Sequence, residues 1–360
     1  MYIIVVMDIE PIKGRGAADN PANRFERLRY EPSADDPPDE RPSPTTQFFK
    51  DMTRSIIATN DSSDVGFNAS INPYRGCEHG CIYCYARPYH EYLGLSAGLD
   101  FETKIFVKED APKLLRKELN SPKWEPQTLG ISGVTDAYQP IERQLQITRR
   151  CLEVLAEFRN PLVIVTKNRL VTRDIDILRE LAEHGAASVY LAVTTLDPEL
   201  ARVMEPRATM PAGRLAAIRE LAEAGIPTGV LLAPVILGLT DFEMPAILAA
   251  AREAGACNAG YTMLRLPHGV ADLFTNWLDQ HFPEKKDKIL SRIREVRGGE
   301  LNDPRFGTRM KGEGIIADTV RQIFEVTRKR LNFPGKRKLS TAAFRRPNET
   351  PMSLFGEDFV

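Results

Sequence analysis

Residues 72–85 read NPYRGCEHGCIYCY and place three cysteines, Cys77, Cys81 and Cys84, in the spacing Cys-x3-Cys-x2-Cys. The apolar run before them predicts a strand near residues 67–73, and the residues after them predict the first helix. A loop between a strand and a helix can place three thiolates around one metal ion or one small metal cluster. This cysteine triad is therefore the first candidate for metal binding.

Two kinds of metal centre are compatible with the triad. A structural zinc ion takes four protein ligands, and His79, inside the loop, or His90 is near enough in sequence to be the fourth. A [4Fe-4S] cluster takes one ligand per iron, so three cysteines leave one iron free to bind a substrate or cofactor. The other two cysteines, Cys151 and Cys257, are too few for a second cluster, and their positions predict small packed side chains.

Short apolar runs alternate with amphipathic segments from residue 67 onward. Six strands are predicted, near residues 67–73, 128–132, 162–166, 188–194, 228–234 and 261–266. Segments of helical period are residues 141–158, 172–184, 213–224, 242–254 and 315–330. Strands that alternate with helices predict an α/β fold with a parallel sheet, and crossovers of one hand bend such a sheet into a barrel or part of one.

The cysteine spacing, with the aromatic Tyr83 directly before the last cysteine, resembles the signature of the radical S-adenosylmethionine (SAM) superfamily. The resemblance implies a partial (β/α)6 TIM-like barrel and a [4Fe-4S] cluster on Cys77, Cys81 and Cys84. It also makes Tyr83 a candidate for binding the SAM cofactor. In this superfamily the free iron chelates the amino and carboxylate groups of SAM. One electron then cleaves SAM to methionine and a 5'-deoxyadenosyl radical, which abstracts a hydrogen atom from the substrate. The implied electron donor is a flavodoxin or ferredoxin.

Residues at the carboxyl ends of the strands are candidates for SAM binding, because ligands of parallel barrels bind at that face. The second strand leads into Gly133, Thr135 and Asp136, where the superfamily usually has Gly-Gly-Glu or a variant. A glycine lets backbone approach the cofactor, and the Asp136 carboxylate can accept a hydrogen bond from an ammonium or hydroxyl group. The alternative is a polar strand end that caps the next helix.

Later strand ends add five candidates to this pocket. Lys167 follows the third strand and offers a cation to the SAM carboxylate. Thr194 ends the fourth strand, and Glu205 and Arg207 lie in the segment after it. Pro234 belongs to an apolar strand end that suits the adenine ring. For Glu205 and Arg207 the alternative is an ion pair within a loop, which contributes little to stability.

Much of the chain also resembles spore photoproduct lyase and the DNA-repair-photolyase-like proteins grouped with it. The shared stretches include VTK at residues 165–167, EP at residues 205–206 and LAPVI at residues 232–236. Spore photoproduct lyases place a hydrogen-donating cysteine where this sequence has Gly133, which carries no side chain. The resemblance thus implies the fold, the cluster and the use of SAM, and a lyase acting on damaged or modified nucleic acid is the alternative function.

Composition divides the chain into four parts. Residues 1–65 form an N-terminal extension, in which residues 31–44 contain five prolines among acids and too few apolar side chains to offset the entropy of folding. That stretch is predicted to be a flexible linker. Residues 66–270 form the barrel, residues 271–335 a helical extension, and residues 336–360 a basic, flexible tail.

Charge and hydropathy exclude several classes of protein. The 48 Lys and Arg residues nearly balance the 49 Asp and Glu residues, so a nucleic-acid or membrane partner needs a local patch. The longest apolar run, residues 230–239, is about half as long as a bilayer crossing requires. Residues 1–7 lack the features of a secretory signal, and Met7 is an alternative start. With thiols typical of a reducing compartment, these features predict a cytoplasmic protein outside the membrane.

Two C-terminal stretches suggest partners. Residues 328–346 contain eight basic residues and no acid, and they would attract nucleic acid if they lie beside the barrel mouth. A solvated tail is the alternative. Residues 351–355, PMSLF, resemble the peptide by which bacterial DNA-metabolism proteins bind the sliding clamp, with docking on their own domain as the alternative. The rival function outside the enzymes is a non-catalytic iron–sulfur or zinc protein, such as a redox sensor.

Overall fold

The structure is a computed structural model that describes residues 10–26, 45–335 and 338–347. Three sequence-based predictions lie outside the described residues: the linker at residues 31–44, the clamp-binding peptide at residues 351–355, and the choice between Met1 and Met7 as the start. Within the described ranges, every helix is too short or too polar to span a lipid bilayer.

Ten strands form two sheets in the described part of the chain. They are β1 (Gln47–Lys50), β2 (Ile57–Thr59), β3 (Ala69–Ile71), β4 (Tyr74–Arg75), β5 (Lys104–Val107), β6 (Leu129–Ile131), β7 (Leu162–Thr166), β8 (Ala187–Ala192), β9 (Thr228–Val235) and β10 (Asn258–Met263). Seven strands make the main sheet, in the order β10-β9-β8-β7-β6-β3-β2. Neighbours from β3 to β10 are parallel, as predicted, and at least one helix connects each pair. This succession confirms the partial (β/α)6 barrel.

The central parallel strands β6 and β8 are largely buried on both faces, which explains why they read as nearly continuous apolar runs. All of β6 and most of β8 are buried. β7 has its predicted bounds, whereas β10 begins earlier than predicted, at Asn258. Residues 258–260 pair with β9 but carry little apolar surface, so their strand character was not visible in the sequence.

The described helices cover the main sheet and extend the barrel. They are α1 (Leu99–Thr103), α2 (Ala111–Leu119), α3 (Glu142–Leu145), α4 (Ile147–Phe158), α5 (Ile175–Glu183), α6 (Pro198–Met204), α7 (Pro211–Glu223), α8 (Met244–Glu253), α9 (Val270–His281), α10 (Lys286–Glu295) and α11 (Gly314–Arg330). The helix predicted at residues 141–158 is divided into α3 and α4, because Gln146 between them has a φ of +52°. The helix predicted directly after the triad is a 3-10 helix, Arg87–Leu93.

The N-terminal extension contributes strands that the sequence did not reveal. β1 pairs with β5 in parallel, and β4 pairs with β5 antiparallel, which gives a three-stranded second sheet. β2 adds an antiparallel strand to the edge of the main sheet. All four residues of β1 are exposed, so the segment lacks the alternation of buried and exposed side chains by which strands are recognised.

Side-chain contacts across the mouth of the barrel join the segment after the triad to the segments that follow β6 and β10. Tyr85, which follows the triad, donates from its hydroxyl to the carbonyl oxygen of Gly133 after β6, at 2.6 Å. The ring of Tyr85 lies 5.5 Å from the guanidinium carbon of Arg265 after β10. Farther out, Arg309 Nε lies 2.6 Å from Asp64 Oδ2, before β3. The sheet therefore curves enough for the two sides to meet across the mouth.

Residues 338–347 of the predicted flexible tail are packed on the amino-terminal edge of the barrel. The Ser340 N–H donates to the Gly185 carbonyl oxygen before β8, and the Arg345 N–H donates to the Phe158 carbonyl oxygen at the end of α4, both at 2.9 Å. The cysteine triad lies at the opposite, carboxyl-terminal edge. The sequence predicts nucleic-acid binding only if the basic stretch lies beside the barrel mouth. Residues 338–347 lie at the other edge of the barrel.

His90 leads to a prediction about acid stability. Its ring is buried, and Nε2 lies 2.9 Å from the Lys104 carbonyl oxygen. Burial, assisted by Arg87, lowers the pKa of His90 from 6.5 to about 4, although the Lys104 carbonyl and Asp100 oppose the shift. The unfolded chain then binds a proton at a higher pH than the folded chain does. The free energy of unfolding should therefore fall as the pH decreases through this window, by about 3 kcal/mol from this group.

We expect His90→Gln, which keeps a donor for the Lys104 carbonyl, to reduce the fall in the free energy of unfolding as the pH decreases. The measurement is the urea midpoint between pH 6.5 and pH 4. Because His268 is exposed, His268→Gln is the matched control for the loss of one histidine. An unchanged slope in the His90→Gln protein would show that this histidine does not govern acid stability.

Candidate active site

The three cysteines lie in a tight loop that follows β3 and β4. Gly76 and Gly80 have φ angles of +79° and +67°, a region that side chains other than glycine rarely adopt. Cys77 and Cys81 are buried, and Cys84 is partly buried. The glycine turns therefore allow the loop to direct all three thiols inward.

The thiols are close enough to affect one another's ionisation. Burial raises the pKa of Cys77, and Asp136, Cys81 and Cys84 raise it further. Burial also raises the pKa of Cys81 and that of Cys84. Three thiolates in this loop thus require added positive charge, which the iron ions of a cluster supply. The donor set of the loop fits a [4Fe-4S] cluster.

A single zinc ion fits the loop less well. Across the residues that the structure describes, no three His, Cys, Asp or Glu side chains converge closely enough to hold one metal ion. His79 Nδ1 lies 3.4 Å from Asp136 Oδ2, and its Nε2 lies 3.1 Å from Asn168 Nδ2. His90 is engaged by the Lys104 carbonyl oxygen. Both candidate fourth ligands therefore have other partners.

Four of the predicted SAM-binding residues meet at the carboxyl ends of β7 and β8. Lys167 Nζ lies 3.0 Å from Thr194 Oγ1 and 3.2 Å from Glu205 Oε1. It also donates to the Ala233 carbonyl oxygen at 2.9 Å. The Tyr83 hydroxyl donates to Glu205 and lies 3.2 Å from Thr194 Oγ1. This polar group links the residue before Cys84 to the ends of three strands.

Arg214 completes the polar group, although sequence reasoning did not name it as a site residue. Its guanidinium is buried, pairs with Glu205 and donates to the Ala192 carbonyl oxygen at 2.9 Å. Burial raises the pKa of Glu205, but Arg214 and Lys167 outweigh it and hold that pKa well below its usual range. Glu205 is therefore an ionised carboxylate between two cations.

The chain matches the Radical SAM superfamily over residues 71–251, which include the triad and the polar group around Glu205. It belongs to the radical SAM superfamily. An uncharacterized protein of Mycobacterium tuberculosis is 36% identical over 243 residues, which cover 67% of this chain and 70% of that protein. An uncharacterized protein of Methanocaldococcus jannaschii is 28% identical over 233 residues, which cover 65% and 83%.

Solved structures of spore photoproduct lyase have a similar fold. A cysteine-to-serine variant aligns with a TM-score of 0.58 at 16% identity, over 80% of each chain. The complex of spore photoproduct lyase with dinucleoside spore photoproduct aligns with a TM-score of 0.56 at 18% identity, again over 80% of each chain. These alignments show a shared fold for this radical SAM protein.

The remaining predicted residues of this radical SAM protein line the same edge of the barrel. The Gly133 N–H donates to Asn72 Oδ1 at 2.8 Å, and the Thr135 hydroxyl donates to the Gly76 carbonyl oxygen at 2.6 Å. The first contact ties the segment after β6 to the residue that follows β3, and the second ties it to the cysteine loop. Pro234 lies near the carboxyl end of β9, next to the carbonyl group that accepts from Lys167.

Asp136 braces the pocket, because both of its oxygens have protein donors. Oδ1 accepts from the Thr166 hydroxyl at 2.7 Å, and Oδ2 accepts from the Lys167 N–H at 2.9 Å. Burial raises the pKa of Asp136, but His79 and these hydrogen bonds outweigh it and lower that pKa. Asp136 therefore joins the ends of β6 and β7 beside the cysteine loop.

Arg207 lies outside the polar group around Glu205. Its Nη2 lies 3.1 Å from Glu78 Oε1, within the cysteine loop. The alternative of an ion pair between Glu205 and Arg207 is wrong, since Glu205 pairs with Lys167 and Arg214. The two residues are close in sequence but face different partners.

A buried ion pair holds the cysteine loop in place. Arg87 and Glu102 are both 0% exposed, with Arg87 Nη2 at 2.5 Å from Glu102 Oε1. Arg87 donates to the carbonyl oxygens of Gly80 and Cys81, at 3.3 and 3.0 Å. Because both side chains are fully buried, each one depends on the other for neutralisation.

Residues 10–26 pack on the outside of the same loop. Glu102 accepts hydrogen bonds from the N–H groups of Gly16 and Ala17, at 3.1 and 2.9 Å. A Cβ on Gly16 would lie 1.8 Å from the Gly80 carbonyl oxygen, so this close backbone approach requires glycine. Ala17 also joins an apolar cluster with Tyr83 and Cys81. The N-terminal extension is therefore part of the surroundings of the site.

Proposed function

We propose that this protein cleaves SAM reductively and uses the resulting 5'-deoxyadenosyl radical to abstract a hydrogen atom from a substrate. The observation that carries the proposal is the loop of three neighbouring thiols at the carboxyl edge of a radical SAM barrel. Cys77, Cys81 and Cys84 would hold a [4Fe-4S] cluster. When bound, the cluster supplies the electron for SAM cleavage through its cysteine-free iron.

The pocket residues have separate proposed roles toward SAM. Lys167 offers its ammonium group to the SAM carboxylate, and the ion pair with Glu205 holds that group in place. Thr194 adds a hydroxyl group, and Pro234 provides an apolar surface for the adenine ring. Tyr83 packs its ring 5.6 Å from Lys167 Nζ and so limits the positions of the cation.

The other predicted residues act through the backbone or through the loop. Gly133 and Thr135 bring the backbone after β6 close to the triad, where it can approach the amino group of SAM. Asp136 positions the main chain of Lys167, and Arg207 positions the loop through Glu78. We propose a flavodoxin or ferredoxin as the electron donor.

Replacing Cys84 by alanine tests the proposal. The protein is reconstituted with iron and sulfide without oxygen, reduced, and incubated with SAM, and 5'-deoxyadenosine is measured by chromatography. We expect the wild type to form it and Cys84→Ala to show background levels, because one cluster ligand is lost. Cys257→Ala is the matched control, since Cys257 lies before β10 at the opposite edge of the barrel.

Two results would contradict the proposal. One is the absence of 5'-deoxyadenosine from the wild-type reaction, and the other is equal formation by the wild type and Cys84→Ala. A non-catalytic iron–sulfur or zinc protein would then explain the loop better. A lyase acting on nucleic acid has the support of the fold alone, because Gly133 offers no thiol for hydrogen donation.

A further inference from the structure

Arg265 lies at the barrel mouth with few partners for its charge. It follows β10, and its Nε is buried without a hydrogen-bond acceptor. Within the described ranges, its guanidinium makes one weak hydrogen bond, from Nη1 to Met310 Sδ at 3.9 Å. Asp64, an acid that raises the pKa of Arg265, is already paired with Arg309. The positive charge of Arg265 is therefore not neutralised within the described structure.

Two fully buried arginines of this protein have carboxylate partners, and a third, Arg297, has several main-chain acceptors although its Nε, like that of Arg265, has none. Arg87 pairs with Glu102, and Arg214 pairs with Glu205. Arg297 donates to four main-chain carbonyl groups. Arg265 is partly exposed, and among the described residues it has neither a carboxylate partner nor a main-chain acceptor. Its guanidinium is therefore accessible to an anion from outside the chain.

The position of Arg265 is fixed by the structure around it. Arg297 Nη2 donates to the Leu264 carbonyl oxygen at 2.6 Å, and its Nη1 donates to the Arg309 carbonyl oxygen at 2.7 Å. These bonds clamp the residue before Arg265 to the segment that carries Met310. A ligand would thus meet a positioned guanidinium, which lowers the entropy lost on binding.

Arg265 also lies on the side of the mouth that faces the cysteine loop. Its guanidinium carbon is 5.5 Å from the centre of the Tyr85 ring. Tyr85 directly follows Cys84, and 45% of it is exposed, so its ring forms an accessible surface of the mouth. A molecule held by Arg265 therefore lies over Tyr85, beside the loop that would carry the cluster.

We propose that Arg265 binds an oxyanion of the substrate, a phosphate or a carboxylate group, at the mouth of the barrel. This inference rests on the proposed function and names its substrate class, a molecule whose anionic group lies within reach of Tyr85. Guanidinium groups bind such oxyanions through two parallel hydrogen bonds. The anion replaces the acceptors that the protein itself does not provide.

Arginine labelling tests this proposal on the wild-type, full-length protein without SAM. Phenylglyoxal modifies arginines, and mass spectrometry of peptides gives the rate at each site. The labelling is compared in phosphate, acetate and chloride at equal ionic strength. If phosphate binds with a dissociation constant near 10 mM, about 50 mM should slow the modification of Arg265 roughly sixfold. Arg54, an exposed arginine between β1 and β2, is the reference.

Each outcome has a defined meaning. Protection of Arg265 by phosphate alone supports a phosphate-bearing substrate, and protection by acetate as well supports a site that also accepts carboxylates. Equal rates at Arg265 in all three salts, or no labelling of Arg265, would overturn the proposal. A failure of this test can be distinguished from a failure of the proposed function, because 5'-deoxyadenosine formation is measured in a separate experiment without phosphate.

A variant separates anion binding from a structural role of Arg265. We expect phosphate to raise the melting temperature of the wild type and to lose this effect in Arg265→Gln. Arg265→Lys, which keeps the charge, should retain part of it. If Arg265→Gln lowers the melting temperature and phosphate still stabilises it as it does the wild type, Arg265 is a structural brace and the proposal is wrong.

Discussion

Replacing Glu205 by alanine is expected to lower the free energy of unfolding by about 3–5 kcal/mol, because it leaves buried positive charge without its partner. Arg214 is 1% exposed and Lys167 is 13% exposed, and both pair with this carboxylate. Urea unfolding of the metal-free protein measures the effect. Glu220→Ala is the matched control, since the ion pair of Glu220 with Arg169 is solvent-exposed and should contribute about 0–1 kcal/mol.

A double variant distinguishes charge pairing from packing in this group. Replacing Glu205 and Arg214 together by leucine and methionine removes both members of the pair and keeps most of the buried volume. We expect this protein to be more stable than Glu205→Ala, as is common when a whole buried ion pair is replaced by apolar side chains. If Glu205→Ala unfolds within about 1 kcal/mol of the wild type, the polar group does not stabilise the barrel.

Glu102→Ala should have the second large effect, again about 3–5 kcal/mol, because Arg87 would remain as an unpaired buried charge. The change also removes the acceptor of the Gly16 and Ala17 N–H groups. We therefore expect residues 10–26 to separate from the cysteine loop. Urea unfolding measures the first effect, and amide hydrogen exchange of residues 10–26 measures the second.

Glu157→Ala provides the control for Glu102→Ala. Glu157 pairs with Arg116 at the surface, where a comparable loss of one carboxylate should change the unfolding free energy by about 0–1 kcal/mol. Unchanged exchange protection of residues 10–26 in Glu102→Ala would mean that other contacts hold this segment on the loop.

The sequence predicted the central part of the fold because parallel strands leave a strong signal. Strands such as β8 are short, mostly apolar runs between helices of regular period, and burial on both faces favours that pattern. β1 and β2 are short and mostly exposed, so their sequences carry no such signal. Their place in the fold depends on pairing with distant segments, which a local pattern does not encode.

The site was predicted where a residue type and a strand end coincide. Lys167 was a candidate by that reasoning, and Glu205 was a candidate as part of the segment after the fourth strand. The structure brings their side chains within 3.2 Å of each other, and their role toward SAM stays a prediction. Arg214 was missed, although a signal existed: it shares the buried face of α7 with Ala217 and Leu221. An arginine at an apolar helix position requires a buried carboxylate, and Glu205 lies shortly before it in the chain.

The placement of residues 338–347 has a consequence for the order in which the protein is built. Phe344 of this segment packs against Phe158 of α4, with ring centres 6.2 Å apart. Chains fold as they emerge, N-terminal parts first. Residues 338–347 are translated after every strand and helix that the structure describes, so the amino-terminal edge of the barrel is covered only after the barrel strands have emerged. Until then the nascent protein carries an uncovered apolar surface there.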